Sequence, residues 1–176
     1  MATGRNYLVD TGTTVGGWIP LGTASGTTEY GLIYGAAAAN YDYNISAVRI
    51  AIASGGSASY PTNGSITFRL RRSTSTVSAT FAGTGTAAYT GPGTITASSS
   101  WIYGTASSAG TGTLSTPGAV LWSQSLPYTA GANWAEWFTP GFELNSGAGG
   151  TIALTYSFDN GTSSATFCIP EFVISE

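Results

Sequence analysis

The sequence predicts an all-β fold, an antiparallel β-sandwich of about eight strands. Three observations carry that expectation. Apolar residues recur with period two in several stretches, and no stretch keeps the i, i+3, i+4, i+7 stripe of an amphipathic helix. Turn chemistry punctuates these runs: Pro61-Thr62-Asn63-Gly64 and Asp159-Asn160-Gly161 put Asn-Gly beside alternating segments, a strong hairpin signal. Strong helix formers other than alanine are scarce. The run Ala36–Ala39 is short and is hemmed in by Gly35 and Asn40.

The elements follow in order. Tyr30–Tyr34 is a short apolar strand. Asn44–Ala53 alternates, with Val48, Ile50 and Ile52 on one face and Ala47, Arg49 and Ala51 on the other. Ser65–Ser73 repeats the pattern, with Ile66, Phe68 and Leu70 inward and Arg69 and Arg71 outward. Ala119–Ser123, Trp134–Phe138 and Phe142–Leu144 follow. Thr151–Phe158 aligns Ile152, Leu154, Tyr156 and Phe158. Ala165–Ser175 closes the chain, and Pro170, which lacks an N–H, calls for an edge position or a bulge there. Core places fall to Trp122, Phe138, Phe158 and Phe167, whereas Trp18, Trp101, Tyr103 and Trp134 lie in or near turns.

Length predicts one domain, 1–176. Residues 1–20 read as an N-terminal arm reaching a neighbour. Residues 74–117 read as a low-complexity Ser/Thr/Gly/Ala insertion, an irregular hairpin excursion anchored by residues such as Tyr89, Trp101 and Tyr103. Linkers rarely carry such aromatics, and no fixed repeat period is visible.

Composition narrows function. Gly, Ala, Ser and Thr make up 98 of 176 residues, and charged residues are 7% against a usual ~25%. There is no lysine and no histidine, and no charge at all from Ser73 to Ala135. Small side chains lose little entropy when immobilised, so such a surface is easily buried in an assembly; adaptation to habitat or secretion is the other reading. A net charge of −3 supports no steering toward nucleic acid or anionic membrane. No window approaches 18 apolar residues, and the start of the chain has no apolar leader segment, which points to synthesis and folding in a cytosol. The sequons at Asn44, Asn63 and Asn160 then carry little weight.

Chemistry is sparse. One cysteine, Cys168, excludes an intrachain disulfide and reads as a small buried hydrophobe. Without histidine, Ser-His-Asp and Cys-His devices are excluded, and a zinc site is not expected. Phosphate loops and calcium loops are missing, so no cofactor and no metal are expected. The remaining catalytic option is a carboxylate pair from Glu136, Glu143 and Glu171, as in a glycosidase. The expectation is a non-enzyme.

The five cations are all arginine: Arg5, Arg49, Arg69, Arg71 and Arg72. Arg69 and Arg71 share a strand face, Arg72 points to the other, and Arg49 is expected on the Arg69/Arg71 side. Two readings lead for this cluster, ahead of nucleic-acid contact, which no aromatic platform or basic stripe supports. It pairs inside the subunit with Glu136, Glu143 or Glu171, or it makes bidentate contacts to carboxylates across an interface. Candidate interface residues are therefore Arg5, Trp18, Arg49, Arg69, Arg71, Arg72, Trp101 and Tyr103, with no nucleic acid among the partners.

Several segments resemble a known family. The series Glu29-Tyr30-Gly31-Leu32-Ile33-Tyr34-Gly35-Ala36, Val48-Arg49-Ile50-Ala51 and Ile66-Thr67-Phe68-Arg69-Leu70, with the later Leu121-Trp122, Phe142-Glu143-Leu144 and Ile152-Ala153-Leu154, is similar to jelly-roll cement or decoration proteins of tailed-phage capsids. The likeness is one of pattern and composition and leaves out residues 74–117. It implies a jelly-roll sandwich and a homotrimer on the outer capsid surface at capsomer junctions. Its partners would be itself and a major capsid protein, and it would brace the head of a virion after synthesis in the host cytoplasm. The competing expectation is a carbohydrate-binding or tail-fibre receptor-binding module stacking a glycan on Trp101, Tyr103 and Tyr89; a secreted or surface-layer structural protein is a third.

Overall fold

A computed structural model describes residues 4–10, 19–21, 29–54, 64–73, 83–103, 118–128, 133–140, 144–158 and 166–176. Among the described residues there is no helix. The described residues form twelve strands: β1 (Asn6–Asp10), β2 (Ile19–Leu21), β3 (Tyr30–Ala36), β4 (Asn44–Ser54), β5 (Gly64–Ser73), β6 (Gly83–Tyr89), β7 (Ser100–Tyr103), β8 (Val120–Tyr128), β9 (Trp134–Phe138), β10 (Leu144–Asn145), β11 (Thr151–Phe158) and β12 (Thr166–Ser175). All pairs are antiparallel, and they form two sheets, as a sandwich requires.

Sheet A is built on the long β4–β12 ladder. Strands β9 and β10 share the far edge of β4, and β1 and β2 share the far edge of β12. Sheet B runs β7–β3–β11–β5–β8. Strand β6 joins the two: Gly83–Gly85 pair with β7, and Thr86–Tyr89 pair with β1. A strand that changes sheets makes a corner, and two glycines in its first three residues ease the bend.

The four strands beyond the expected eight are β1, β2, β6 and β7. The described part of the supposed arm, 1–20, is therefore built into sheet A through β12. The supposed excursion, 74–117, supplies β6 and β7, which lie inside the ladder order. Gly83-Thr84-Gly85-Thr86 has no apolar alternation to announce a strand; its backbone is recruited by partners on both sides.

Neither Asn-Gly segment joins a hairpin. Strand β4 belongs to sheet A and β5 to sheet B, and β11 and β12 are split the same way. Those connections cross between sheets; the turns themselves lie outside the described residues. Only β6 and β7 are both consecutive and paired among the described strands. Turn chemistry reverses the chain, but it does not dictate whether the next strand pairs or crosses over.

Pro170 sits in a central strand. Arg5 and Glu176 exchange both backbone hydrogen bonds, at 2.9 and 3.0 Å. Even-numbered residues of β12 therefore turn their N–H and C=O toward β1 and β2, and odd-numbered ones toward β4. Strand β2 pairs with 166–168 and β1 with 172–175, so Pro170 falls in the gap between them, where no ladder donor is needed. Opposite, β4 carries a bulge between Ile45 and Ala47. It lets Ile45 and Val48 both face the core despite their odd spacing, each fully buried.

The core lies between the sheets. Val48, Ile50, Ile52, Phe172 and Ile174 of sheet A meet Ile66, Phe68, Leu70, Leu154 and Tyr156 of sheet B, all essentially buried. Trp101 of β7 crosses the gap, stacked on Phe172 (centroids 5.3 Å) and tilted against Tyr43 (5.2 Å). Its indole N–H donates to Ser99 Oγ at 3.0 Å. Gly35 is its ladder partner, and a Cβ there would stand 2.5 Å from the indole ring. The buried Tyr43 hydroxyl donates to the Gly35 carbonyl (2.8 Å) and accepts from the Ile152 N–H (3.2 Å). Burial holds that phenol, and the Cys168 thiol, protonated far above their ordinary ranges.

Candidate interface

The two outer faces of the sandwich differ in kind. On sheet B, alternation turns Arg69, Arg71 and Thr67 of β5 outward, with Thr155 and Ser157 of β11 beside them. Glu29, one residue before β3, reaches into this layer. It accepts two hydrogen bonds from the Arg71 guanidinium, the one from Nη2 at 2.7 Å, and another from the Thr155 hydroxyl. Arg69 lies 3.8 Å from the same carboxylate and donates to Ser157 Oγ at 2.8 Å. Arg71 also donates to the Gly118 carbonyl at 2.9 Å. Thr155 and Ser157 are buried beneath these groups. Burial alone would raise the Glu29 pKa, but the bonds from Arg71 and Thr155 and the two guanidinium charges outweigh it and hold the carboxyl below its ordinary range.

Sheet A turns a different surface outward. Leu8, Ala47, Ala51, Ile169, Val173 and Ala135 lie on the outward side across four neighbouring strands, with Ala51 already buried among its neighbours. An antiparallel sheet with a solvated side ordinarily presents polar residues there. Here the apolar surface is interrupted by the ion pair of Arg49 on β4 with Glu171 on β12 and by Asp10, which alternation in β1 turns to the same side as Leu8. Trp137 of β9 is the ladder neighbour of Arg49 and is 47% exposed. Register thus lines up Trp137, Arg49 and Glu171 across three adjacent strands.

The expected arginine cluster divides. Arg49 is in sheet A, and Arg69 and Arg71 are on the opposite side of the molecule, because β4 and β5 belong to different sheets. Three arginines pair inside the subunit, Arg49 with the expected Glu171 and the other two with Glu29, which the sequence reading did not single out. Arg72 points away from them, exposed, and donates to the Asn145 carbonyl at 2.6 Å. Arg5 is exposed at the start of β1. Among the described residues Arg5 and Arg72 have no carboxylate partner. Trp18 and Glu143 lie outside the described residues, as does the side chain of Tyr103.

Trp101 is 2% exposed, so it cannot be a stacking platform for a glycan; both of its faces are taken by core packing and Gly35. Tyr89 is half-buried against Tyr7 and lies over Gly91. Glu136 and Glu171 occupy opposite faces of sheet A and do not approach one another as a catalytic pair. Trp137 went unmarked, yet its sequence held a signal. Trp137 and Phe138 are adjacent in a strand, so one of them must face out.

Glu136 pairs with no arginine among the described residues. Its ladder row, with Ile50, faces inward at the open seam between β9 and β8. A cleft of about 220 Å³ opens there, lined by Leu126, Pro127, Trp134, Ala135 and Glu136. An inward-pointing charge on an edge strand is a guard against edge-to-edge pairing. On β8 the guard is Pro127, whose position has no N–H to offer. Replacing Glu136 with valine is expected to leave the fold intact and to promote concentration-dependent association, read by light scattering. No change in scattering would remove the guard role.

Acid and alkali act through named groups. Glu176 accepts from Ser98 N–H (2.7 Å), Ser98 Oγ–H (2.8 Å) and Ser99 N–H (3.0 Å), which overcome the effect of burial and depress its pKa. Glu29 and Glu176 therefore contribute stability that is present above the ordinary 4.5 and lost as pH falls through their lowered values. Cys168 and Tyr43 keep their protons when folded, whereas the unfolded chain releases them above about 8.5 and 10, so stability is lost there as pH rises. With no histidine or lysine, the thermal midpoint should be flat from roughly pH 5.5 to 8. A titration near neutrality in a thermal scan series would contradict this.

No protein-family model matches the chain, and no curated protein matches it. Among the described residues no group of three side chains could hold a metal ion, and no helix is long and apolar enough to cross a membrane.

Proposed function

We propose that this is a non-enzymatic structural protein that works inside an assembly, a cement or decoration protein on the outer surface of a tailed-phage capsid. The outer face of sheet A carries the assembly part of the reading. It is largely apolar, mixes alanines with Leu8, Ile169 and Val173, and is rimmed by an exposed tryptophan, a surface that gains by being covered. Small side chains lose little entropy on burial there. On that face Arg49 is already paired with Glu171, and on the opposite sheet Arg71 and Arg69 share the single Glu29 carboxylate. Arg5 and Arg72 remain as cations for carboxylates of a shell protein. The capsid itself, the jelly-roll form of the sandwich and the trimer enter through the resemblance of the strand segments to capsid decoration proteins.

The mechanism is mass action. A protein that binds the assembled lattice and not its separated subunits stabilises the lattice in proportion to occupancy. Many modest contacts, multiplied by symmetry, then resist heat and internal pressure. Particles lacking this protein are expected to release their genome at a lower temperature, and adding the purified chain back should restore the wild-type release curve. Identical curves with and without it would overturn the cement role.

A further inference from the structure

We infer that the outer face of sheet A seats a second copy of this chain across a twofold axis, with Arg49 of each copy set against Glu171 of the other. The inference rests on the assembly reading above and names the partner of that face. A twofold contact requires self-complementarity: if residue i meets j, then j meets i. At its centre, on β4 and β12, this face meets the requirement with one cation and one anion; the charge of Asp10 lies one strand farther out, on β1. The two stand in directly opposed ladder positions on adjacent strands. An axis running between β4 and β12, parallel to them, lays β4 of one copy over β12 of the other. Arg49 then faces Glu171 and Glu171 faces Arg49, closing a neutral square of four charges.

The remaining features agree with that placement. The positions flanking the pair, Ala47 and Ala51 on β4 and Ile169 and Val173 on β12, are apolar, so burying them strands no polar group. Alanines on one strand come to lie against larger side chains on the other, which lets the faces interdigitate as stacked sheets do. Trp137, one strand beyond Arg49, reaches over β1 of the second copy, the strand that carries Leu8 and Asp10, and adds aromatic contact area there. Arg49 and Glu171 are already held together within each subunit, so docking them immobilises little additional freedom. The outer face of sheet B offers no such surface, because its arginines and hydroxyls are consumed by Glu29 and Ser157. A twofold contact makes the assembly even-numbered, either a dimer or two stacked trimers.

Charge reversal tests the contact directly. Sedimentation of Arg49→Glu and of Glu171→Arg should each show self-association weakened at least about tenfold, since like charges then oppose across the axis. Mixing the two variants in equal amounts should restore it, because each Glu pair of one chain meets an Arg pair of the other. Thermal unfolding of each variant checks that the fold survives the lost internal pair. Trp137→Ala, which leaves that pair intact, should weaken association without lowering the thermal midpoint. A monomeric wild-type chain, unchanged association in both charge variants, or failure of the mixture to reassociate while both stay folded would overturn the contact. Particle binding separates this from the cement reading. Charge variants that lose self-association yet still protect capsids leave the cement role standing. A wild-type chain that pairs as described but protects no capsid leaves only the twofold contact.

Discussion

Gly35→Ala is expected to destabilise the protein by about 3 kcal/mol, at the upper end of the range for overpacking a filled core. The added Cβ would stand 2.5 to 2.7 Å from three carbons of the Trp101 indole, closer than real contacts permit. Trp101 has nowhere to retreat. Phe172 stacks on it from sheet A, Tyr43 tilts against it, and Ser99 holds its N–H. Relief requires β3 and β7 to part, and that would strain the Tyr43 bridge between the Gly35 carbonyl and the Ile152 N–H. In a chain of this size each kcal/mol moves the midpoint by about 2–4 °C, so the shift should approach 10 °C. Trp101→Ala alone should lose about 3–5 kcal/mol. The double variant is decisive: with the ring gone, the extra methyl meets open space, and Gly35→Ala should then add little. Urea unfolding of the four proteins measures the cycle. Full additivity would show that glycine and indole do not meet as described.

Glu29→Ala is the second large effect, about 2–3 kcal/mol. Removing one member of a buried ion pair typically costs 3–5 kcal/mol, and partial exposure of this carboxylate, 20% for its side chain, reduces that. Glu29 is the common acceptor for Arg71 and Thr155 and the nearest anion to Arg69. Its loss leaves two guanidinium groups close together, above a buried hydroxyl, with no counter-charge. Arg71→Met removes one of those cations and should cost less. Combined with Glu29→Ala it should cost clearly less than the sum, since the uncompensated charge falls from two to one. The acid limb of the stability profile gives an independent reading, because Glu29→Ala should flatten part of it. An unchanged limb together with a loss below about 0.5 kcal/mol would show the network to be a surface decoration of little energetic weight.

Much of the sandwich was legible in the sequence. The alternation in β4, β5 and β11 marked both their strand character and their buried faces, since a pleated backbone sends successive side chains to opposite sides, and β12 was marked as a strand without its faces. Cys168 as a buried hydrophobe was readable from its apolar surroundings. Four strands were not legible. Strand β6 is glycine, threonine and alanine up to its last residue, Tyr89, and β2 is three residues long, so neither has a periodicity of its own. Trp101 looked like a loop aromatic because it stands in a Ser/Thr/Gly/Ala-rich stretch; its core position depends on Gly35, which lies 66 residues earlier. The bulge in β4 is equally invisible, because it is defined only against β12.

The arginines show the same division. The outward direction of Arg49, Arg69 and Arg71 followed from alternation. Their grouping did not, because β4 and β5 enter different sheets and the arginines end on opposite faces. Glu29 as the partner of Arg71 could not be anticipated, since it is brought there by β3 docking beside β11 and β11 beside β5.

Composition and period therefore determined the class of this protein: all-β, short of charge, with surfaces of small side chains. Those are properties of single residues and of neighbours two positions apart. Tertiary structure alone decided which strands pair, where Pro170 can lack a donor, which glycine lies beneath the tryptophan, and that one outer face is polar and the other apolar. Each of these depends on which distant segments become neighbours. Local chemistry sets how a strand presents its two sides, but the sheet it enters sets what those sides meet.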